Sequence, residues 1–263
     1  MKKKLTITSI KKSKGVEPLV MITAYDALFA KLLEKSSDMI LVGDSLNMSF
    51  AGKNDTLSST MEQMLYHTNA VCNGAKNSFI VCDMPFGTYT DENKALLNAI
   101  RVFQETNADS VKVEGGEDKA HIIKHLVNNG IAVCGHIGLL PQSVRSEGGY
   151  KVKGKDEASE IQLIKDAKAV EDAGAFCMVI EGVIAEVAAK VAASVEIPVI
   201  GIGAGKDVDG QVLVFSDMLG LFEEFTPKFV KKYIDGASIV KNAIADYADE
   251  VKNREFPKEE HTY

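Results

Sequence analysis

The sequence predicts an α/β fold: a (β/α)8 TIM-type barrel built as a single domain over residues 1–263. Two patterns carry that expectation. Eight short apolar runs recur along the chain, several of them unbroken Val/Ile/Met sequence, as parallel strands covered on both faces require. Amphipathic stretches with helical spacing separate most of them, and eight such alternations in this length suit a closed barrel better than an open, doubly wound sheet. No composition break, Pro/Gly/Ser-rich linker or low-complexity segment marks a second domain.

The first run, residues 18–24, precedes a helical stretch at 26–37, where Leu28, Leu32 and Leu33 share a face behind the acidic cap position Asp26. A second run at 39–43 leads into Asp44 and Ser45, and a helix is expected over 59–74. Runs at 79–83, 109–114, 131–136 and 176–181 are followed by helical stretches at 91–107, 117–129, 155–173 and 184–194. Several of these stretches end at Gly or Asn, residues that terminate helices readily. The last two runs, 198–203 and 212–216, lie too close together for a full helix between them. A final helix is expected from 227 to about 252, with the tail EFPKEEHTY frayed.

Bulk composition excludes several classes of function. A hydrophobic content of 46% supplies ample core, while a net charge of −7 without a sustained basic face argues against nucleic acid as a partner. The lysines at 2–4 and 11–14 read as a solvated N-terminal segment. No apolar stretch reaches the roughly 18–20 residues of a membrane helix. Only Leu5 to Ile10 follows the first charges, too short and polar for a signal-peptide core, so a cytoplasmic location is expected. Cys72, Cys82, Cys134 and Cys177 lack metal-type pairing, and the last three lie in apolar runs, as buried reduced thiols do.

What the runs end in is the functional signal. In residues 109–114, Val111 and Val113 alternate with Ser110, Lys112 and Glu114, so a strand here turns Lys112 and Glu114 to one inward face. Buried charge is costly unless it is paired or bound to a metal. Other runs end in Asp44, Asp83, His136 and Glu181, and barrel enzymes draw catalytic groups from the C-terminal ends of their strands.

Asp44 and Asp83 each read as a loop or capping aspartate, or as a functional group. Joined by Glu114 they form a hard-oxygen set that suits Mg2+, whose charge would offset their mutual repulsion. A Schiff-base role for Lys112 would need a depressed pKa, whereas acidic neighbours favour its ammonium. It therefore reads as a charged clamp for an anionic substrate, or else as half of an ion pair with Glu114. Glu181 closes an apolar strand, which suits a general base or acid, or a cap for the helix near 184. His136 either orients a ligand and shuttles a proton, or holds an ordinary hydrogen bond. His121 and His125 have helical zinc spacing without the adjoining glutamate, and read as surface residues. Residues 201–206 lack Walker spacing, so their glycines read as points of close approach. The glycine-rich loop 148–154 is a lid or a plain connection.

Taken together, these residues closely resemble the ketopantoate hydroxymethyltransferase family. The matching stretches include MITAYDALFAKLLE (21–34), ILVGDSLNM (40–48), CDMPFG (82–87), ADSVKVEGG (108–116), VCGHIGLLPQSV (133–144) and VIGIGAGKDVDGQVLVFSDMLG (199–220). They run in order over nearly the whole chain. The resemblance implies a (β/α)8 barrel, Mg2+, 5,10-methylenetetrahydrofolate as one-carbon donor, 3-methyl-2-oxobutanoate as acceptor, and a decameric homo-oligomer. It also implies Asp44, Asp83 and Glu114 as metal-binding residues, Asp44, Ser45, Asp83 and Lys112 as oxo-acid contacts, and Glu181 as catalytic proton acceptor. No residue departs from the family pattern at these positions, and folate contacts stay unassigned. Two rival readings stand beside it: another metal-dependent barrel enzyme acting on 2-oxo acids, such as an isocitrate lyase or phosphoenolpyruvate mutase relative, and a non-catalytic binding barrel.

Overall fold

Eight parallel strands close on themselves in chain order, in a computed structural model that describes residues 3–223 and 225–263. The strands are β1 (Leu19–Thr23), β2 (Met39–Val42), β3 (Phe79–Asp83), β4 (Ser110–Glu114), β5 (Val133–Gly138), β6 (Cys177–Glu181), β7 (Val199–Ile202) and β8 (Gly210–Leu213). Pairing of β8 with β1, from Leu19 opposite Gly210 to Ile22 opposite Leu213, seals the ring. Helix α1 (Ile7–Lys12) precedes the first strand. Between strands lie α2 (Ala27–Leu33), α3 (Leu46–Ser49), α4 (Met61–Gly74), α5 (Glu92–Glu105), α6 (Ala120–Asn128), α7 (Glu157–Asp172) and α8 (Ala185–Ala193). The expected barrel is therefore present, with no helix between β7 and β8.

Side-chain capping decides where the outer helices begin. Asp26, Asp91 and Asp156 accept the backbone N–H groups of Phe29, Lys94 and Ser159 at 2.8–2.9 Å, and Thr60 accepts that of Gln63 at 3.2 Å. Each satisfies a donor that the first helical turn would otherwise leave open.

Period-two alternation builds the interior in layers. Leu19 and Met21, Met39 and Leu41, Phe79 and Val81, Cys177 and Val179, Ile200 and Ile202 form one apolar cluster, with Ile10 of α1 fully buried within it. The Phe79 and Phe176 rings meet at 5.4 Å between centroids. Continuing the same alternation upward turns Asp83, Lys112, Glu114, His136 and Glu181 to the inner face at the C-terminal strand ends. The polar layer thus rests on an apolar plug.

At the opposite end, three aspartates tie strands in pairs. Asp38, Asp109 and Asp209 each donate a backbone N–H to the carbonyl of Val20, Ile80 or Val199 at 2.8 Å. Their carboxylates accept the N–H of the same three residues at 2.8–2.9 Å. Lysines expected in a solvated segment join this layer: Lys4 reaches Asp109 at 2.8 Å and Lys14 reaches Asp209 at 2.7 Å. Their long stems let the ammonium groups fold back onto carboxylates already fixed by backbone. Lys2 lies outside the described residues.

The chain divides into two compact units, Met1–Val214 and Phe215–Tyr263, where a single domain over 1–263 was expected. All eight strands belong to the first. The second holds α9 (Phe215–Met218) and α10 (Gly236–Lys252). Residues 227–235 are not helical as expected. Tyr233 and Gly236 donate backbone N–H groups to Met218 and Leu219, and Asp235 caps α10, so the helix starts nine residues late. The run expected at 212–216 is strand only to Leu213, because Phe215 opens α9. Likewise β5 starts at Val133, since Ile131 N–H stays bonded to the Leu126 carbonyl at the end of α6. The expected frayed tail carries a short 3-10 turn at Glu259–His261. All four cysteines are free and buried, as expected. Among the described residues, no helix is long and apolar enough to cross a membrane.

Replacing Asp209 with Ala strips the Val199 and Gly15 N–H groups of their acceptor and unpairs Lys14. Hydrogen bonds to a charged partner contribute roughly 1.5–3 kcal/mol. We expect Asp209→Ala to lower unfolding stability by about that amount in a denaturant titration. An unchanged midpoint would show the clamp to be incidental.

Candidate active site

Lys112 lies at the centre of the polar layer. Its Nζ stands 3.0 Å from Asp83 Oδ1, 3.8 Å from Glu114 Oε1 and 3.0 Å from His136 Nδ1. Adjacent register explains the meeting: Asp83 pairs with Lys112 across β3–β4, and Glu114 with His136 across β4–β5. His136 Nε2 lies 3.3 Å from Glu181 Oε2, which extends the chain of ionisable groups to β6. Glu181 alone among them is partly open, its side chain 21% exposed. It therefore meets solvent as well as His136, and is not enclosed in the apolar pocket suggested by its strand.

Asp44 enters from the loop after β2. Its N–H donates to Asp83 Oδ2 at 3.0 Å, and its own Oδ2 accepts from Gln142 Nε2 at 2.9 Å. Gln142, on the short turn after β5, also donates its backbone N–H to Glu114 Oε2 at 3.1 Å. Beside Asp44, Ser45 Oγ shares a 2.8 Å hydrogen bond with Tyr25 OH, to which Thr23 Oγ1 donates at 3.1 Å. Gly43 allows this bend, because a Cβ there would fall 2.8 Å from Ser45 Oγ.

Electrostatics in this layer are dominated by burial and by like charge. Burial raises the Asp44 pKa well above the usual carboxylate range, and Asp83 and Glu114 push it further, against Lys112 and Gln142. Asp83 is raised too, by burial in excess of what Lys112 offsets. Burial also opposes Glu114 ionisation, but His136, Lys112 and the Gln142 N–H outweigh it and hold the pKa low. For Lys112, burial favours the neutral amine, yet Asp83, Glu114 and Asp44 win and keep the ammonium above the ordinary lysine range. His136 Nδ1 has two alternative partners. As acceptor it takes an N–H from Lys112, which can only donate, and the 3.0 Å approach belongs to this form. As donor it faces Glu114 at 3.4 Å, and Glu114 and Glu181 push its pKa up to about 9 despite burial and Lys112.

The residues present fit a divalent cation. Asp83 Oδ1 and Glu114 Oε1 are buried without an aligned hydrogen-bond donor, and three carboxylates face one ammonium. Among the described residues no three His, Cys, Asp or Glu side chains form a ready-made cage. Asp44 and Asp83 instead offer the one or two carboxylates that Mg2+ takes alongside water and substrate oxygens. Glu114, expected to converge with them, is turned toward Gln142 and His136.

Every strand-end residue singled out in the sequence thus reaches one neighbourhood. His121 lies apart, exposed on α6. The glycines after β7 serve packing: a Cβ at Gly205 would fall 2.5 Å from that of Ala185. Loop 148–154 is anchored beside β6, with Lys153 N–H bonded to the Gly182 carbonyl at 2.8 Å. Gln142, Tyr89 and Tyr25 escaped the sequence reading. Only Pro141, which presets the turn carrying Gln142, hinted at an ordered loop there.

The chain matches the family described as ketopantoate hydroxymethyltransferase over residues 4–259. A relative from Sulfurimonas denitrificans named 3-methyl-2-oxobutanoate hydroxymethyltransferase is 78% identical, covering 100% of both chains. A relative of the same name from Aliarcobacter butzleri is 64% identical over 99% of this chain and 97% of its own. Among solved structures, 2,3-dimethylmalate lyase, a PEP mutase/isocitrate lyase superfamily member, superposes with a TM-score of 0.62 at 15% identity, covering 97% of this chain and 91% of that one. The last likeness is one of fold alone.

A carboxylate whose folded pKa is raised binds its proton more tightly in the native state, so its ionisation costs stability as pH rises through the window above the ordinary value. Asp44 is such a group, and Asn keeps an oxygen for Gln142 while removing the charge. We expect Asp44→Asn to raise the unfolding midpoint of the cation-free protein at pH 7, with the gain shrinking as pH falls. A lower midpoint at pH 7 would show that Asp44 is not a net electrostatic burden.

Proposed function

Because the chain belongs to the ketopantoate hydroxymethyltransferase family, we propose that it transfers a hydroxymethyl group from 5,10-methylenetetrahydrofolate to 3-methyl-2-oxobutanoate. The product is 2-dehydropantoate, in the first step of pantothenate and coenzyme A biosynthesis. Hydroxymethyl transfer itself is the activity named for relatives 64–78% identical over essentially the full chain, which sets aside the lyase, mutase and non-catalytic readings. The carrying observation is the division of charge at the barrel mouth: a buried ammonium among buried carboxylates, beside one partly open carboxylate.

In this reading Glu181 removes the C3 proton of the oxo acid. Its exposure lets it reach both substrate and solvent, and His136 Nε2 at 3.3 Å is placed to hold or pass on the proton. Lys112 keeps its ammonium and faces the developing negative charge in a site with little water. Ser45 Oγ and the Lys112 ammonium orient the carboxylate end of the substrate, beside Asp44 and Asp83. Asp44 and Asp83 would hold Mg2+, with Glu114 completing the acidic set, and the ion would supply Lewis-acid polarisation of the oxo acid. Loss of the C3 proton leaves a carbon nucleophile that bonds to the donor's one-carbon unit, while its carbon–nitrogen bonds break and water supplies the hydroxyl oxygen.

A homo-oligomer, a decamer by family resemblance, belongs to the same proposal. Leu28 and Leu32 on α2 are exposed, and so separately are Ile239, Ile244 and Tyr247 on α10, apolar groups that an assembly would cover. A cytoplasmic location fits the four free, buried cysteines.

Two measurements test the mechanism. Glu181→Gln keeps shape and the acidic set, so C3 proton exchange in heavy water should fall about 10²–10⁴-fold while oxo-acid binding persists. Near-normal exchange would move the base role to another group. Borohydride added with the oxo acid should leave Lys112 unmodified, because its neighbours hold it charged. A reduced adduct on that residue, detected as a mass shift, would replace the clamp with Schiff-base chemistry.

A further inference from the structure

We propose that Tyr89 and Gln142 form a positioning clamp that sets the Asp44 and Glu114 carboxylates for the divalent cation and the oxo acid. The inference rests on the cation reading above and extends it to residues outside the acidic set.

Gln142 sits on a connecting turn, yet it is 6% exposed, and all of its hydrogen-bonding groups but the backbone carbonyl have identified partners. The backbone N–H serves Glu114 Oε2 at 3.1 Å. The side-chain nitrogen serves Asp44 Oδ2 at 2.9 Å and the Met84 carbonyl at 3.0 Å. The amide oxygen accepts the Tyr89 hydroxyl in a short hydrogen bond. This pattern fixes the amide's orientation: flipped, its oxygen would face a carboxylate and a carbonyl, both acceptors. Tyr89 secures that orientation from behind. Burial and the charges of Glu114 and Asp44 keep its phenol protonated, hence a donor.

One residue therefore touches carboxylates from two different strand ends, β2 and β4. A neutral amide suits the task better than a cation would. It occupies one lone pair of Asp44 and fixes its rotamer without cancelling the negative charge that attracts the ion. An arginine there would hold the carboxylate as firmly but would compete with the metal for it. Groups that hydrogen-bond metal ligands from behind typically account for about 10–100-fold in metal affinity or activity.

The alternative is a purely structural role, in which Gln142 anchors its loop and the carboxylates need no help. Calorimetric titration of Mg2+ into protein saturated with 3-methyl-2-oxobutanoate, without any folate, separates the two without turnover. Tyr89→Phe deletes only the hydroxyl and Gln142→Met keeps length while losing the polar contacts. The clamp predicts Mg2+ dissociation constants weakened about 10-fold for the first and about 10–100-fold for the second. With the donor added, Tyr89→Phe should recover near-normal kcat at saturating Mg2+ while requiring more of the ion. Lower melting temperatures with unchanged Mg2+ affinity in both variants would overturn the clamp and leave the cation reading standing. If Gln142→Met does not fold, Tyr89→Phe decides alone. Absence of any Mg2+ response in the unaltered protein would overturn the cation reading, and the clamp's purpose with it.

Discussion

The barrel mouth depends on a single buried ammonium. Lys112 contacts Asp83 and His136 at 3.0 Å and Glu114 at 3.8 Å, in a layer where nearly every group is closed to water. Without it, carboxylates from three neighbouring strand ends would meet in a low-dielectric space with only His136 and the Gln142 donors to offset them. A charge left unpaired in such a place costs several kcal/mol even after relaxation. Even with Lys112 in place the balance is incomplete, since Asp44 and Asp83 remain raised by burial while Glu114 is held low. The residual imbalance leaves excess negative charge at the mouth, which supports the proposed binding of a divalent cation.

Such a layer is tolerable only because the rest of the barrel is rigid. Beneath it the interior is apolar, and at the far end Asp38, Asp109 and Asp209 lock strand pairs through reciprocal backbone and carboxylate bonds. The two ends use the same residue type in opposite ways. At the base, each aspartate accepts a backbone N–H that fixes register, and two of them gain a lysine. At the mouth, Asp83 faces the Lys112 ammonium as well as the Asp44 N–H, and Asp44 accepts from the Gln142 side-chain amide. Stability and chemistry are thereby assigned to opposite ends of the strands, as the barrel architecture permits.

This arrangement also explains what the sequence disclosed and what it hid. Alternation in residues 110–114 forces Lys112 and Glu114 to the inner face whatever the neighbouring strands do, so that part of the site was legible from one strand. Asp83, His136 and Glu181 were legible for the same reason, once the runs were taken as parallel strands ending at one mouth. Gln142 and Tyr89 were not, because they lie on loops whose course is set by tertiary contacts and not by any local period. Element ends suffered likewise. Ile131 looks like strand but is held by the carbonyl of Leu126, and residues 227–235 look like helix but turn back onto α9. Orientation of Glu114 was hidden too: sequence places its carboxylate in the layer, while the Gln142 N–H and His136 set which way it faces.

Fold and activity separate cleanly in this molecule. The same barrel superposes on a lyase at 15% identity, so the closed sheet alone selects no reaction. Selection must reside in which strand ends carry which groups, and in how the backbone lets them be reached. Glu181 illustrates the second condition. Gly138, opposite it in register, has φ +95°, and a Cβ there would fall 2.4 Å from the Glu181 carbonyl. Gly182, directly after it, has φ +57°. Two glycines in the left-handed region thus frame the end of the β5–β6 pairing, at the partly open carboxylate of the layer. Asp44, Asp83 and Glu114 are only 3–4% exposed while the Glu181 side chain is 21% exposed, the accessibility that the proposed base role requires.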